Sequence, residues 1–276
     1  MNIDHVTIAG AALDPLREVF AGLGLATDYG GPHSNGVTHM ALLGFDDGSY
    51  IELISTIKAG QAAPWWDRFI AGDAGPCAWA VRSDDIAAET SRIARLKIAT
   101  RGPDAMSRQR PDGQRVEWEL TYLGEGDPGL TLPFLIQDRT PRALRVTPSA
   151  SVAGTELSGL SRVVIMAKDL HETERLYSRV YGAWESPRGV DEHLPAELQT
   201  FDNLPVVVAS PLDPGTPLAA RLSQYGPCPL AYLIHSTDLR RSARRFPSAY
   251  EGIWFENPVL WIPTGGELPW LGIIDW

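Results

Sequence analysis

The sequence predicts an α+β chain built from four similar strand and helix modules arranged as two tandem domains. Three observations carry that expectation. The chain has 276 residues, close to twice a domain length of roughly 150 residues. Short motifs recur at a spacing of about half the chain, and inside each half apolar runs of strand character alternate with amphipathic helical runs.

The repeat is collinear. His5-Val6-Thr7-Ile8 followed by Leu13 aligns with Arg162-Val163-Val164-Ile165 followed by Leu170. Phe45-Asp46 aligns with Phe201-Asp202, and Gly75-Pro76-Cys77 with Gly226-Pro227-Cys228. The strand after each Gly-Pro-Cys ends in an acidic residue and an aliphatic one, Asp85-Ile86 and Asp238-Leu239. Leu132-Pro133-Phe134 matches Leu268-Pro269-Trp270 at a smaller offset, so the second copy has shorter loops. Single tripeptides recur by chance; matches in one order point to a duplicated unit.

The elements follow in order. Residues 2–9 read as a strand, and residues 13–23 as a helix with Leu13, Leu16, Val19, Phe20 and Leu23 on one stripe. Residues 37–45 form the next strand, Asp46-Asp47-Gly48 a turn, and residues 50–54 the strand after it. The second module runs through strand 77–81, helix 86–98 and strands 116–123 and 132–137. The third has strand 161–166, helix 170–180 and strands 198–201 and 206–209. The fourth has strand 230–234, helix 239–246 and strands 259–262 and 270–274. Residues 140–158 are rich in Pro, Ser, Thr and Ala and read as the connection. The expected domains are 1–140 and 157–276.

Composition narrows the function classes. The chain is 44% hydrophobic and 21% charged, as folded globular proteins are. Its 24 basic and 34 acidic residues give a net charge of −10, which repels phosphate backbones and anionic lipid. Nucleic acid and membrane are therefore not expected partners; a small-molecule ligand is. Cys77 and Cys228 are too few for a disulfide framework or a thiolate zinc site. With no basic or apolar leader at the amino terminus, a cytoplasmic location is expected. No Gly-x-Ser-x-Gly elbow, phosphate loop, Cys-x-x-Cys or His-Glu-x-x-His occurs. Glu172 and Glu174 read as charges in the first turn of a helix, and Arg240, Arg241, Arg244 and Arg245 as a solvated or interface face.

One strand, one helix and three strands, repeated in pairs, resembles the vicinal oxygen chelate superfamily of glyoxalases, bleomycin-resistance proteins and extradiol dioxygenases. The runs Asp4-His5-Val6, Gly30-Gly31-Pro32-His33, Gly36-Val37-Thr38-His39 and Asp47-Gly48-Ser49-Tyr50-Ile51-Glu52-Leu53 are similar to the first module of its glyoxalase-like domain family. Arg110-Pro111-Asp112-Gly113 with Trp118, and Leu132-Pro133-Phe134-Leu135-Ile136, resemble the second. The likeness is good over about residues 2–140 and reaches 157–276 only as module pattern. It implies βαβββ modules whose mixed sheets cup around a cavity in which function resides. Metal-dependent members take ligands from two positions per module. Here these are His5 and Glu52, then Ala78 and Phe134, then Arg162 and Val207, then Ala231 and Trp270. The second domain therefore has no such site, and the first has half of one.

Three readings of His5, His33, His39 and Glu52 stay open: a site for a divalent metal (Zn, Fe, Mn or Ni), a metal-free site in which His5 and Glu52 carry the chemistry, or structural roles only. His33 and His39 would assist as substrate-binding residues; their bland alternatives are a turn residue and an interior histidine. Glu52 sits in an apolar run, so facing inward it needs a cation, a donor or a raised pKa, and facing outward it needs nothing. Arg108, Arg110 and Arg115 flank the turn at Asp112-Gly113; Arg110 could orient an anionic group, or the turn could be solvated. Trp118 is a candidate for the substrate-binding wall, and Trp65 and Trp66 either cover the cavity or pack between modules. If the protein is an enzyme, lyase, isomerase or dioxygenase chemistry on a small carbonyl- or carboxylate-bearing molecule is expected. The alternative is a non-catalytic, sequestering protein of the bleomycin-resistance type. The second domain would brace the first or pair with another copy in a homodimer.

Overall fold

Each of the four modules folds as a strand, a helix and three strands in the computed structural model, which describes every residue except Pro111 and Glu192. The chain divides into two units, residues 2–159 and residues 160–276 together with Met1. The first unit contains β1 (Ile3–Ala9), α1 (Leu13–Gly22), β2 (Asp28–Pro32), β3 (Thr38–Gly44) and β4 (Tyr50–Thr56) as its first module. After α2 (Asp67–Ala71), the second module follows as β5 (Gly75–Arg82), α3 (Ile86–Arg95), β6 (Thr100–Gln109), β7 (Arg115–Leu123) and β8 (Phe134–Asp138). A last helix, α4 (Arg142–Arg145), precedes β9 (Leu157–Met166), along which the chain passes into the second unit. There α5 (Leu170–Tyr181), β10 (Glu185–Asp191), β11 (Ala196–Phe201) and β12 (Val206–Pro211) complete the third module. Helix α6 (Pro217–Tyr225) leads to the fourth: β13 (Pro229–Ser236), α7 (Leu239–Arg245), β14 (Tyr250–Trp254), β15 (Asn257–Ile262) and β16 (Leu271–Ile274).

The first unit has one mixed sheet of eight strands in the order β2-β3-β4-β1-β5-β8-β7-β6, and the second repeats it as β10-β11-β12-β9-β13-β16-β15-β14. In the first, β1 pairs parallel with β4 and antiparallel with β5, so the modules join back to back through their first strands. The two curled sheets are what an α+β pair of glyoxalase-like domains requires.

Helix starts explain part of the repeat. Asp85, Asp169 and Asp238 cap α3, α5 and α7, each accepting from the backbone N–H three residues on. That is why an acidic residue follows each of these strands. Ala12 caps α1 without a side-chain bond. The buried stripe of α1 is Leu13, Leu16 and Phe20; Val19, expected on it, is exposed.

Residues 140–158 are packed on the first unit. Ser149 N–H donates to the Gly44 carbonyl and Ser149 Oγ to Asp28 Oδ2 at 2.6 Å, while Val146 packs against Met40, Leu42 and Tyr50. No helix among the described residues is long and apolar enough to cross a membrane.

Candidate functional site

Strand alternation turns one set of side chains toward the concave face of the first sheet. The register places His5 beside Tyr50, Leu42 beside Glu52, Met40 beside Ile54, Leu120 beside Ile136 and Met106 beside Trp118. With Phe134 and Arg108 from the same faces, these residues line a cavity of about 170 Å³. Arg145 from α4, the His33 to Asn35 turn and Pro64, Trp65 and Trp66 complete its wall.

Glu52 is 7% exposed and faces the cavity, so the outward reading does not hold. Burial opposes its ionisation, but His33, then His5 and Arg108, outweigh that penalty and hold its pKa below the ordinary carboxylate value. His33 Nε2 lies 3.6 Å from Glu52 Oε1. Its Nδ1 pairs with Thr38 Oγ1 at 2.9 Å, and Asn35 Nδ2 donates to the same hydroxyl. The hairpin between β2 and β3 thus orients the imidazole toward the carboxylate.

His5 is oriented differently. The register of β1 on β5 slips between Ile3 and His5, leaving Asp4 as the extra residue of a bulge. Such bulges re-aim side chains, and here Asp4 Oδ1 meets His5 Nδ1 at 2.7 Å. The His5 ring stacks on Tyr50 at 4.6 Å and meets the edge of Phe134 at 5.3 Å. With Nδ1 engaged, Nε2 is the nitrogen left to exchange a proton with a ligand.

Asp4 is the hub of an ion cluster. Arg145 donates from both terminal nitrogens to its two oxygens at 2.8 Å, and Arg142 donates at 2.5 Å. Arg145 also binds Asp138 Oδ1 at 2.6 Å and the Tyr50 hydroxyl at 2.8 Å. Burial would raise the Asp4 pKa, yet Arg145 holds it well below the usual range. Burial pushes the Tyr50 hydroxyl up, so it stays protonated.

Arg108 is unlike Arg145. It is 7% exposed, and its two terminal nitrogens donate to backbone carbonyls, Gly30 at 2.5 Å and Arg145 at 2.8 Å. Among the described residues no carboxylate forms an ion pair with it.

The structure brings His5, His33, Glu52 and Trp118 to one cavity, and does not bring His39 and Arg110 there. His39 falls on the opposite face of β3 from Met40 and Leu42 and meets Ser55 Oγ at 3.4 Å. Arg110 lies past the end of β6, where it donates to the Leu144 carbonyl and pairs with Asp112 at 3.1 Å. Pro111 lies outside the described residues. Trp65 and Trp66 both line the cavity, and Trp66 Nε1 donates to the Pro128 carbonyl at 2.9 Å. Sequence reasoning gave no role to Asp4, Tyr50, Arg142 or Arg145, and named Arg108 only as one of three arginines beside a turn. Asp4 and Tyr50 stood in the quoted motifs, whereas Arg142 and Arg145 stood in a stretch read as connection.

The donors do not fit a divalent metal. His5 and Glu52 have Ala78 and Phe134 as their counterparts, and Phe134 presents a ring to the cavity. No group of three His, Cys, Asp or Glu residues among the described ones is arranged to hold an ion, where three protein ligands are usual for catalysis. The set suits acid–base chemistry instead: an ionised carboxylate, two imidazoles and a cationic guanidinium on an apolar wall.

In the second unit the corresponding interior is filled by the chain itself. Trp254 and Trp261 are fully buried with ring centroids 5.2 Å apart, and Trp254 Nε1 donates to Asp191. A side chain at Gly272 would come within 2.6 Å of Leu233 Cδ2 and 3.0 Å of the Trp261 ring, so both neighbours would have to shift to admit one.

The family model of the glyoxalase-like domain matches residues 3–181, from the start of β1 to the end of α5. A hypothetical protein from Staphylococcus aureus superposes with a TM-score of 0.65 at 16% identity, covering 100% of this chain and 99% of that one. A triple mutant of 4-hydroxymandelate synthase from Streptomyces coelicolor does so with 0.63 at 13%, covering 99% and 92%. Methylmalonyl-CoA epimerase from Mycobacterium tuberculosis aligns with 0.38 at 17%, covering 45% and 91%. At these identities the likeness is one of fold. No curated protein sequence matches the chain.

Proposed function

Because the chain belongs to the glyoxalase-like domain family, we propose that the cavity of residues 2–159 binds a small carbonyl- and carboxylate-bearing molecule and moves a proton on the carbon beside the carbonyl, as lyases and isomerases do. The observation that carries this reading is Glu52, an ionised carboxylate in an apolar cavity with two imidazoles beside it. With its pKa held below the ordinary carboxylate range, Glu52 is ionised and free to accept a proton. In the proposed step Glu52 takes the proton, and the electron pair of the broken C–H bond moves onto the carbonyl oxygen. In its imidazolium form His5 donates from Nε2 to that oxygen, while its Nδ1–H donates to Asp4. Return of the proton to another carbon completes an isomerisation, and loss of a neighbouring group completes an elimination.

The apolar character of the wall also suits a second reading, binding without reaction. Exchange of substrate C–H for deuterium separates the two. In heavy water, 2-oxo and 3-oxo carboxylates followed by proton NMR are expected to lose signal beside the carbonyl with wild-type protein. Glu52→Gln should slow that loss by about 100-fold or more, while His39→Asn should leave it unchanged within about twofold. Ligands that bind wild-type protein but never exchange would leave only the binding reading.

A further inference from the structure

We infer that Arg108 is an anion anchor and that the cavity takes a monocarboxylate with an aromatic ring. This rests on reading the same cavity as a ligand site and names the ligand class, which the position of Glu52 does not.

Charge sets Arg108 apart. Most other arginines of the second module and its tail find acids: Arg92 with Glu89, Arg110 with Asp112, Arg115 with Glu117, Arg139 with Glu119, and Arg145 with Asp4 and Asp138; Arg95 and Arg101 form no ion pair among the described residues, but both are exposed to water. Arg108 is more deeply buried than any of these except Arg145, yet has only carbonyl partners. Arg82, Arg142 and Arg145 have Asp4, Asp47 and Asp138 around them, so the ion cluster beside the cavity balances within itself. Arg108 stands apart from that cluster: Glu52 acts on it through the cavity without forming an ion pair, and a buried guanidinium with carbonyl partners alone is costly until a counter-ion arrives. A single carboxylate supplies that charge, in the planar geometry a guanidinium matches.

The cavity wall is shaped for a ring. Arg108 and Met106 lie on β6, directly across from the β7 residues that include Trp118. Rings from four strands and the loop before α2 face the same space: Trp118, Phe134, the Tyr50 and His5 pair, and Trp65. A flat ring gains most from such walls, through offset or edge contacts with each. The tethers of Arg108 matter too. Its bonds to Gly30 on β2 and to the Arg145 carbonyl on α4 hold the guanidinium in place before any ligand arrives, so little entropy is lost on binding.

Isothermal calorimetry on the full-length protein tests this with benzoate, its neutral isostere benzamide and the ringless butyrate. Wild-type protein is expected to bind benzoate at least tenfold more tightly than either comparator. Arg108→Gln should lose at least tenfold in benzoate affinity while keeping benzamide within twofold, and Arg108→Lys should recover part of the loss. If Arg108→Gln fails to fold, the wild-type ranking still decides. Equal affinity for benzoate and benzamide overturns the anchor. Equal affinity for benzoate and butyrate overturns the ring preference, and no binding of benzoate overturns the inference whole. Persistence of Glu52-dependent exchange on an aliphatic substrate would then leave the proposed reaction standing, whereas loss of both would remove the two together.

Discussion

A carboxylate with 0% exposure needs more than one donor, and Asp4 has them: two guanidiniums and an imidazole. Removing one partner of such a pair leaves a buried charge. Arg145→Met is therefore expected to destabilise the first unit by about 3–5 kcal/mol, measured by urea unfolding. The pH dependence has a definite sign. The folded-state pKa of Asp4 is depressed, so its stabilisation is complete above the unfolded value and is lost as pH falls through the folded one. The acid unfolding midpoint of wild-type protein should thus lie below about pH 4, the ordinary carboxylate range, and Arg145→Met should move it upward. A midpoint unmoved by Arg145→Met would show that Asp4 does not govern acid stability. His5 and Glu52 were legible as a pair because both stand in a recognisable pattern. The partner of His5 was not, since a bulge decides that neighbours on a strand meet.

At the level of elements, the missing strand of each module is the same one. β2, β6, β10 and β14 went unread, and all four are sheet edges. An edge strand buries little: β6 has one buried residue in ten, and β2 two in five. Without an apolar period there is no pattern to find. The cost was the choice between two arginines. Once β6 is a strand ending at Gln109, Arg108 shares a face with Met106, and Arg110 falls beyond the end. The stretch 140–158 went wrong for a related reason, since composition reports flexibility and not docking. Gly44→Ala tests that docking, because its Cβ would lie 2.2 Å from the Thr147 backbone oxygen. Such overpacking costs about 1–3 kcal/mol, and a drop in melting temperature without change in urea m-value is expected. An unaltered melting temperature would show that the segment can move aside.

For the molecule as a whole, duplication of a paired module gave two sheets of one strand order, and side chains then decided which would be open. In the first, the concave face carries a carboxylate, imidazoles and a guanidinium. In the second, Trp254 and Trp261 occupy the interior, with glycine beneath the larger contact. Residues 1–159 expressed alone are accordingly expected to bind benzoate with wild-type affinity, and residues 160–276 not to bind it, both measured by calorimetry. Binding by the second fragment would contradict the account of its filled interior.

What the sequence alone determined is the repeat, the module pattern and the placement of His5 and Glu52 on the first and last strands of the first module, because duplication and alternation are written along the chain. What only the tertiary structure decided is which distant groups meet. Arg145 reaches Asp4 across 141 residues, and Arg108 reaches Gly30 across 78. The physical reason is that a guanidinium finds its partner through the curl of the sheet and the docking of a tail, and neither leaves a periodic signal.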